Sequence, residues 1–233
     1  MTDMPNDIVY ILKEDIQPAE LIYSLRSVEK NFPFNKVWFV CGQPKGLKPD
    51  GRIVHKQTGK TKWDWIKSSM IEVIRNDDIT EDFYLFNDDF FVMKKYRKKK
   101  FVNFVDGTLE RRIDELHSSL GMSPYCRSLY KAEQELMILK LPTMNYDVHL
   151  PMLVNKTGMQ AALKTCSSPQ MRSVYGNYNQ VPYIIHEDVK EYTLDKVNED
   201  ADFLSTNDDT FLNGRVGEFI RDSFPEPSRF EVI

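Results

Sequence analysis

Cysteine and histidine are both scarce in this chain. The three cysteines, Cys41, Cys126 and Cys166, lie far apart with no CxxC pair, which argues against a disulfide framework and for reduced thiols in a cytoplasm. Apolar runs are short: none approaches the roughly 20 residues that cross a bilayer. The opening MTDMPNDIVYILKED carries a five-residue apolar stretch with no basic lead, so no signal peptide is expected. A cytoplasmic protein, or one acting at a membrane surface without crossing it, is the expectation. Internal repeats, low-complexity tracts and long linkers are also missing. The net charge of −4 means that any contact with nucleic acid must come from a local basic patch.

What is present is ordinary globular material. With 233 residues, 41% hydrophobic and 28% charged, the chain can bury a core of its own. Ile8 to Leu12 (IVYIL) and Val37 to Cys41 (VWFVC) are continuous apolar runs of the kind that form strands buried on both faces. Between them Leu21, Ile22, Leu25 and Val28 recur at helical spacing after Pro18, with proline in the first turn. Arg52 to His55 predicts a short strand, Trp63 to Arg75 a helix, and Asp82 to Phe86 a further strand. This order predicts an α/β fold with an open, mostly parallel sheet and helices on both faces. Beyond it, helices are expected at Ser128 to Leu139, Gly158 to Cys166 and Gly217 to Phe224, with a strand at Val181 to Ile185. One domain over residues 1–233 is the economical reading, with the sheet in 1–95 and 96–233 elaborating it.

The segment FYLFNDDFFV places Asp88 and Asp89 directly after a buried strand, where open α/β sheets bind ligands. Two adjacent carboxylates among aromatic residues repel each other unless something positive joins them. A hard divalent ion, Mg²⁺ or Mn²⁺, suits such oxygen ligands and often shares them with substrate phosphates. The competing reading is a polar turn capped by Asn87, and the second NDD at Asn207-Asp208-Asp209 shows how little specificity the triplet has by itself. The triplet Gly59-Lys60-Thr61 is not a P-loop, because Val54 stands where the first glycine is needed.

Several blocks together carry a resemblance. DIVYIL, the helix block Tyr23-Ser-Leu-Arg26-Ser27, the motif Phe86-Asn87-Asp88-Asp89-Phe90-Phe91, the segment Asp147-Val-His149-Leu-Pro151 and the tail FLSTNDDTFLN…FPEPSRFE occur in the order seen in the Stealth family of sugar-phosphate transferases. More broadly the chain resembles GT-A (Rossmann-like) nucleotide-sugar transferases, which place a DxD-like motif after a central strand. The resemblance implies that Asp88 and Asp89 hold the metal, which bridges the diphosphate of a donor such as a UDP-sugar, with 1–95 as the donor- and metal-binding sheet and 96–233 as the acceptor-side elaboration. It departs after the first strand, where Lys13-Glu14-Asp15 replace the family's W-V-[DN]-G, and transfer of a sugar or of a sugar-1-phosphate both stay open.

Other residues are weighed beside that motif. Arg26, Lys62 and Asn87 are the candidates for donor contacts. His149, two residues from Asp147 in an extended segment, is a candidate general base with its orienting carboxylate. His186, at a strand end beside Glu187 and Asp188, is a candidate third metal ligand. Arg172 and Tyr175 are read either as a basic-aromatic loop over a phosphate, with Arg172 in a catalytic role, or as a polar turn with packed tyrosines. The run Lys94-Lys95-Tyr96-Arg97-Lys98-Lys99-Lys100 suits a polyanionic acceptor such as DNA or an anionic glycan, or is simply a solvated loop. A non-catalytic carbohydrate- or nucleic-acid-binding module is the alternative from another class.

Overall fold

The computed structural model describes residues 5–97 and 100–232. In chain order the first half comprises β1 (Asp7–Leu12), α1 (Ala19–Asn31), β2 (Val37–Cys41), β3 (Gly51–Ile53), α2 (Lys62–Arg75), β4 (Asp82–Phe86) and β5 (Phe90–Val92). The second half adds β6 (Asn103–Val105), α3 (Leu109–Leu120), α4 (Pro124–Ile138), β7 (Met152–Asn155), α5 (Lys156–Thr165) and α6 (Met171–Tyr178). It closes with β8 (Tyr183–Ile185), β9 (Phe203–Ser205), α7 (Asp208–Asn213) and α8 (Arg215–Ser223).

The apolar β-branched runs form the centre of a five-stranded sheet of order β3-β2-β1-β4-β7. Its first four strands are mutually parallel, with Ile8 opposite Val37 and Tyr10 opposite Phe86, and β7 closes the edge antiparallel to β4. Because side chains alternate along a strand, the sheet has two apolar faces. Val9, Trp38, Val40, Phe83 and Leu85 point toward Met70 and Val73 of α2 and the helices α3 to α6. Ile8, Tyr10, Val37, Phe39 and Phe86 point toward Leu21, Leu25 and Val28 of α1. Helices therefore cover both faces, as the patterning predicts.

Local signals set the helix ends. Pro18 sits just ahead of α1, and Phe32 turns extended at its end, as a residue before proline must. A reciprocal capping box between Thr61 and Asp64 starts α2. The chain steps outward from β1 to β2 and β3, then crosses back through α2 to β4 on the other side of β1. The carboxyl ends of β1 and β4 thus lie side by side where the winding reverses, the crevice such sheets use for ligands.

Four strands escaped the sequence reading: β5, β6, β7 and β9. Each is three or four residues long, too short for alternation to register. The strand expected at Arg52 to His55 is Gly51–Ile53, with Val54 80% exposed. The one expected at Val181 to Ile185 is the exposed Tyr183–Ile185, paired parallel to β6. The segment read as a loop around Arg172 and Tyr175 is the buried helix α6. The expected split at residue 95 also needs amendment, since β7 completes the main sheet and β9 pairs with β5. Phe91 stacks on Phe211 of α7 at 5.8 Å, so the β5–β9 ribbon lies between α1 and the α7–α8 pair.

Candidate functional site

Asn87, Asp88 and Asp89 form the tight connection from β4 to β5, with the Phe90 amide donating to the Asn87 carbonyl at 3.3 Å. The helix block YSLRS holds β5 in place. Ser24 Oγ donates to the Phe90 carbonyl (2.6 Å), the Val92 amide donates to Ser27 Oγ (2.9 Å), and Asn31 donates to the Val92 carbonyl (2.7 Å). Side chains of α1 thereby complete the edge of β5 that β9 leaves free. The serines of that block serve the site, and its arginine does not. Arg26 makes a bidentate pair with Glu231 at 2.8 and 2.7 Å and donates to the Phe224 and Pro225 carbonyls. Its expected role as a donor contact is corrected to one of anchoring the C-terminal segment.

Burial, and next the neighbouring Asp89, push the Asp88 carboxyl up to about 6, against the pull of Lys13 and Lys190. Asp89 Oδ2 accepts from Lys190 Nζ at 2.8 Å, with side chains only 13% and 14% exposed. Burial opposes the Lys190 charge, yet Asp89 raises its pKa overall. Burial lowers the Lys62 pKa, and the charges of Lys13 and Lys190 lower it further. Lysines from the end of β1, the start of α2 and the β8–β9 connection therefore share the field of the acidic doublet. Glu20 of α1 is a third carboxyl there. Burial pushes it up to about 7, its bond from Thr206 opposes this, and the charges of Asp89, Asp88 and Asp208 add to the rise.

The donor set fits a hard dication in one specific way. Asp89 Oδ1 is buried with no hydrogen-bond partner. The buried Asp7, at the other end of the sheet, receives bonds from Asn35, Lys36, Trp38 and Thr80. An unmet carboxylate oxygen costs free energy, and an ion bound by Asp88 and Asp89, with phosphate and water as its other ligands, would satisfy it. A fuller protein cage is not present: among the described residues no three His, Cys, Asp or Glu side chains converge on one point. His186 accordingly does not join the doublet. It is exposed, and its Nδ1 lies 2.6 Å from the Glu187 carbonyl oxygen. Something positive does join the doublet, as the sequence requires, but in this structure it is Lys190, whose ammonium pairs with Asp89.

A second cluster abuts the first. His149 Nδ1 lies 2.7 Å from Asp188 Oδ2, and the His149 amide donates to Asp188 Oδ1 at 3.0 Å. Asp188 is thus the orienting carboxylate, in place of the expected Asp147, which accepts from Ser173 Oγ at 2.6 Å. Burial pushes the Asp147 carboxyl up, while Ser173, Arg172 and His149 oppose it. Asp188 is held below its ordinary value: burial acts upward, but the bonds and charge of His149 outweigh it. Arg172 is buried, and its Nη2 donates to Asn87 Oδ1 (3.1 Å) while Nη1 donates to the Leu150 carbonyl (2.7 Å). Burial lowers its pKa to about 10, against the charges of Asp147, Asp89 and Asp188. Arg172 therefore ties the NDD turn to the histidine segment from a helix.

No protein-family model matches the chain, and no curated protein matches it.

Of the predicted site residues, the fold gathers Asn87, Asp88, Asp89, Lys62, Asp147, His149 and Arg172, and it sets Arg26 and His186 aside. Lys13, Glu20, Asp188 and Lys190 were missed. Lys13 and Asp188 each lie just beyond an expected strand, a signal present in the sequence; nothing local marks Glu20 or Lys190. Of the basic run, Lys98 and Lys99 lie outside the described residues. Lys94 donates to the Asp200 carbonyl, and Tyr96 packs against Phe32 and Phe101, so that aromatic is not free to stack on a base. Open surface hollows at residues 47–52 with Val232, and at Glu191 and 195–200 with Arg215, do not include the site residues.

Proposed function

We propose that this chain is a metal-dependent, GT-A-like transferase that takes a nucleotide-sugar donor and a hydroxyl acceptor. The observation that carries the reading is the acidic doublet at the reversal of the sheet, with one buried Asp89 oxygen unsatisfied. A bound Mn²⁺ or Mg²⁺ would supply Lewis-acid stabilisation of the charge growing on the leaving phosphate. Asp88 and Asp89 would bind the ion, and Lys13 and Lys62 would pair with donor phosphate oxygens. With Nδ1 engaged by Asp188, His149 keeps Nε2 available to take the proton of an acceptor hydroxyl, and Asp188 stabilises the imidazolium that results. Arg172 positions both halves through Asn87 and the Leu150 carbonyl.

Three buried free thiols are in keeping with a reducing, cytoplasmic setting. Among the described residues no helix is long and apolar enough to cross a membrane. A polyanionic acceptor, an anionic glycan or DNA, would meet the exposed Lys95, Arg97 and Lys100.

The test is a melting series with Mn²⁺ and a panel of UDP-, GDP- and CDP-sugars, since a ligand preferring the folded state raises the melting temperature. One donor is expected to raise it only with the metal, and Asp88→Asn to abolish the rise. His149→Ala is expected to keep the rise and lose transfer to acceptor by on the order of a hundredfold or more. A donor shift that survives both metal removal and Asp88→Asn overturns the reading. Phosphorus in the product separates sugar-1-phosphate transfer, the Stealth-like variant, from sugar transfer. A chain that binds glycan or DNA without any metal-dependent donor breakdown is a binding module instead.

A further inference from the structure

The ion pair between Lys190 and Asp89 has an unusual setting. Among the described residues, two buried side-chain polar atoms lack any partner: Asp89 Oδ1 and Ser205 Oγ. Their residues are neighbours in the backbone ladder. Ser205 stands opposite Phe90 in the β5–β9 ladder, one residue from Asp89. Its amide donates to the Val189 carbonyl at 3.2 Å, and its own carbonyl accepts from the Glu191 amide at 2.8 Å, so these backbone bonds bracket Lys190. Lys190 lies on the irregular connection between β8 and β9, and its ammonium meets Asp89 Oδ2 at 2.8 Å. One oxygen of the carboxylate is satisfied by the lysine, and the other is left without a partner.

A partly buried carboxylate needs a counter-charge at all times, because an unpaired charge in a poorly solvated place is strongly disfavoured. An ammonium and a dication cannot both sit against the same carboxylate without repelling each other. The lysine stem is long, with rotatable donors, so its head group can be relocated while its backbone stays put. Lys62 and Lys13 already approach the doublet, and a donor diphosphate placed there would offer Lys190 an alternative anion.

We propose that Lys190 is an internal stand-in for the metal, holding Asp89 while the ion is absent and turning to the donor phosphates when the ion arrives. The proposal rests on the metal site of the transferase reading and adds to it a device that couples metal and donor binding. In the ion-free protein the ammonium suppresses the affinity of the doublet for a dication. In the presence of a nucleotide the same ammonium is drawn away from Asp89, so each ligand favours the other through Lys190 as well as through direct coordination.

The experiment is a Mn²⁺ titration followed by electron paramagnetic resonance of the free ion, on wild type, Lys190→Met and Lys190→Arg, with and without UDP. Without UDP, Lys190→Met is expected to bind Mn²⁺ on the order of tenfold more tightly than wild type, the scale of a close charge pair. Lys190→Arg keeps the cation and is expected to bind Mn²⁺ no better than wild type. The gain in Mn²⁺ affinity caused by UDP is expected to be smaller in Lys190→Met than in wild type. If the methionine variant does not fold, Lys190→Gln removes the charge while keeping a donor for Asp89 and is read in the same way. Equal or weaker Mn²⁺ binding by the neutral variants overturns this proposal alone. Absence of Mn²⁺ binding from every protein, with and without UDP, overturns it together with the transferase reading.

Discussion

Glu20 and Asp88 are carboxyls that the fold keeps protonated above their ordinary range, up to about 7 and about 6. Burial is the leading cause for both, and like charge in the cluster adds to it. Between about pH 4 and pH 7 the folded chain therefore binds more protons at these groups than the unfolded chain does. Their contribution to stability is greatest at the acid end, falls as pH rises through the folded values, and levels off above them. Glu20→Gln keeps an acceptor for the Thr206 hydroxyl and removes the charge. The variant is expected to match wild type near pH 4.5 and to exceed it by on the order of 2 kcal/mol at pH 8, in urea unfolding at each pH. A gap that does not change with pH would mean that Glu20 is not the group responsible.

Elements here owe their positions as much to side-chain bonds as to backbone ladders. One edge of β5 is completed by Ser24, Ser27 and Asn31 of α1, which explains why these polar residues sit beside Leu21, Leu25 and Val28 on the buried side of the helix. α6 passes close to the 144–150 segment because Gly176 carries no side chain: a Cβ there would lie 2.5 Å from the Tyr146 ring. That approach lets Arg172 reach both Asn87 and the Leu150 carbonyl. The C-terminal segment is held against α1 by Arg26 and Glu231, each side chain about one-seventh exposed. Arg26→Ala leaves Glu231 without its partner and is expected to cost about 2 to 4 kcal/mol of unfolding free energy. The same variant is expected to leave the donor-dependent rise in melting temperature unchanged, because the pair lies outside the acidic cluster. Loss of that rise in a folded Arg26→Ala protein would restore Arg26 to the donor site.

For the molecule as a whole, the halves are not separable at residue 95. Without 96–233, β4 loses β7 from its edge, β5 loses β9, and the face carrying Val9, Phe83 and Leu85 loses the cover of α3 to α6. An excised 1–95 is expected to show no cooperative unfolding transition by circular dichroism, whereas the whole chain is expected to show one. A dispersed amide spectrum from the fragment would show instead that the parallel strands stand alone. The site has the same dependence: Asp88 and Asp89 come from the first half, and Lys190, Asp188, His149 and Arg172 from the second.

The strands β1, β2 and β4, the helices α1, α2 and α4, and the place of Asp88 and Asp89 at a strand end were all readable from the sequence. Each depends on neighbours a few residues away: continuous apolar runs, a helical repeat of leucines, a proline at a helix boundary. The partners of the charged groups were not readable. Lys190 meets Asp89 across 101 residues, Thr206 meets Glu20 across 186, and Asp188 meets His149 across 39. Spacing in the chain favoured Asp147 for His149 because the two are near in sequence, but folding turned Asp147 to Ser173. Periodicity records which side of an element is buried; which charge ends beside which is decided only when strand ends and connections from distant parts of the chain converge at the reversal of the sheet.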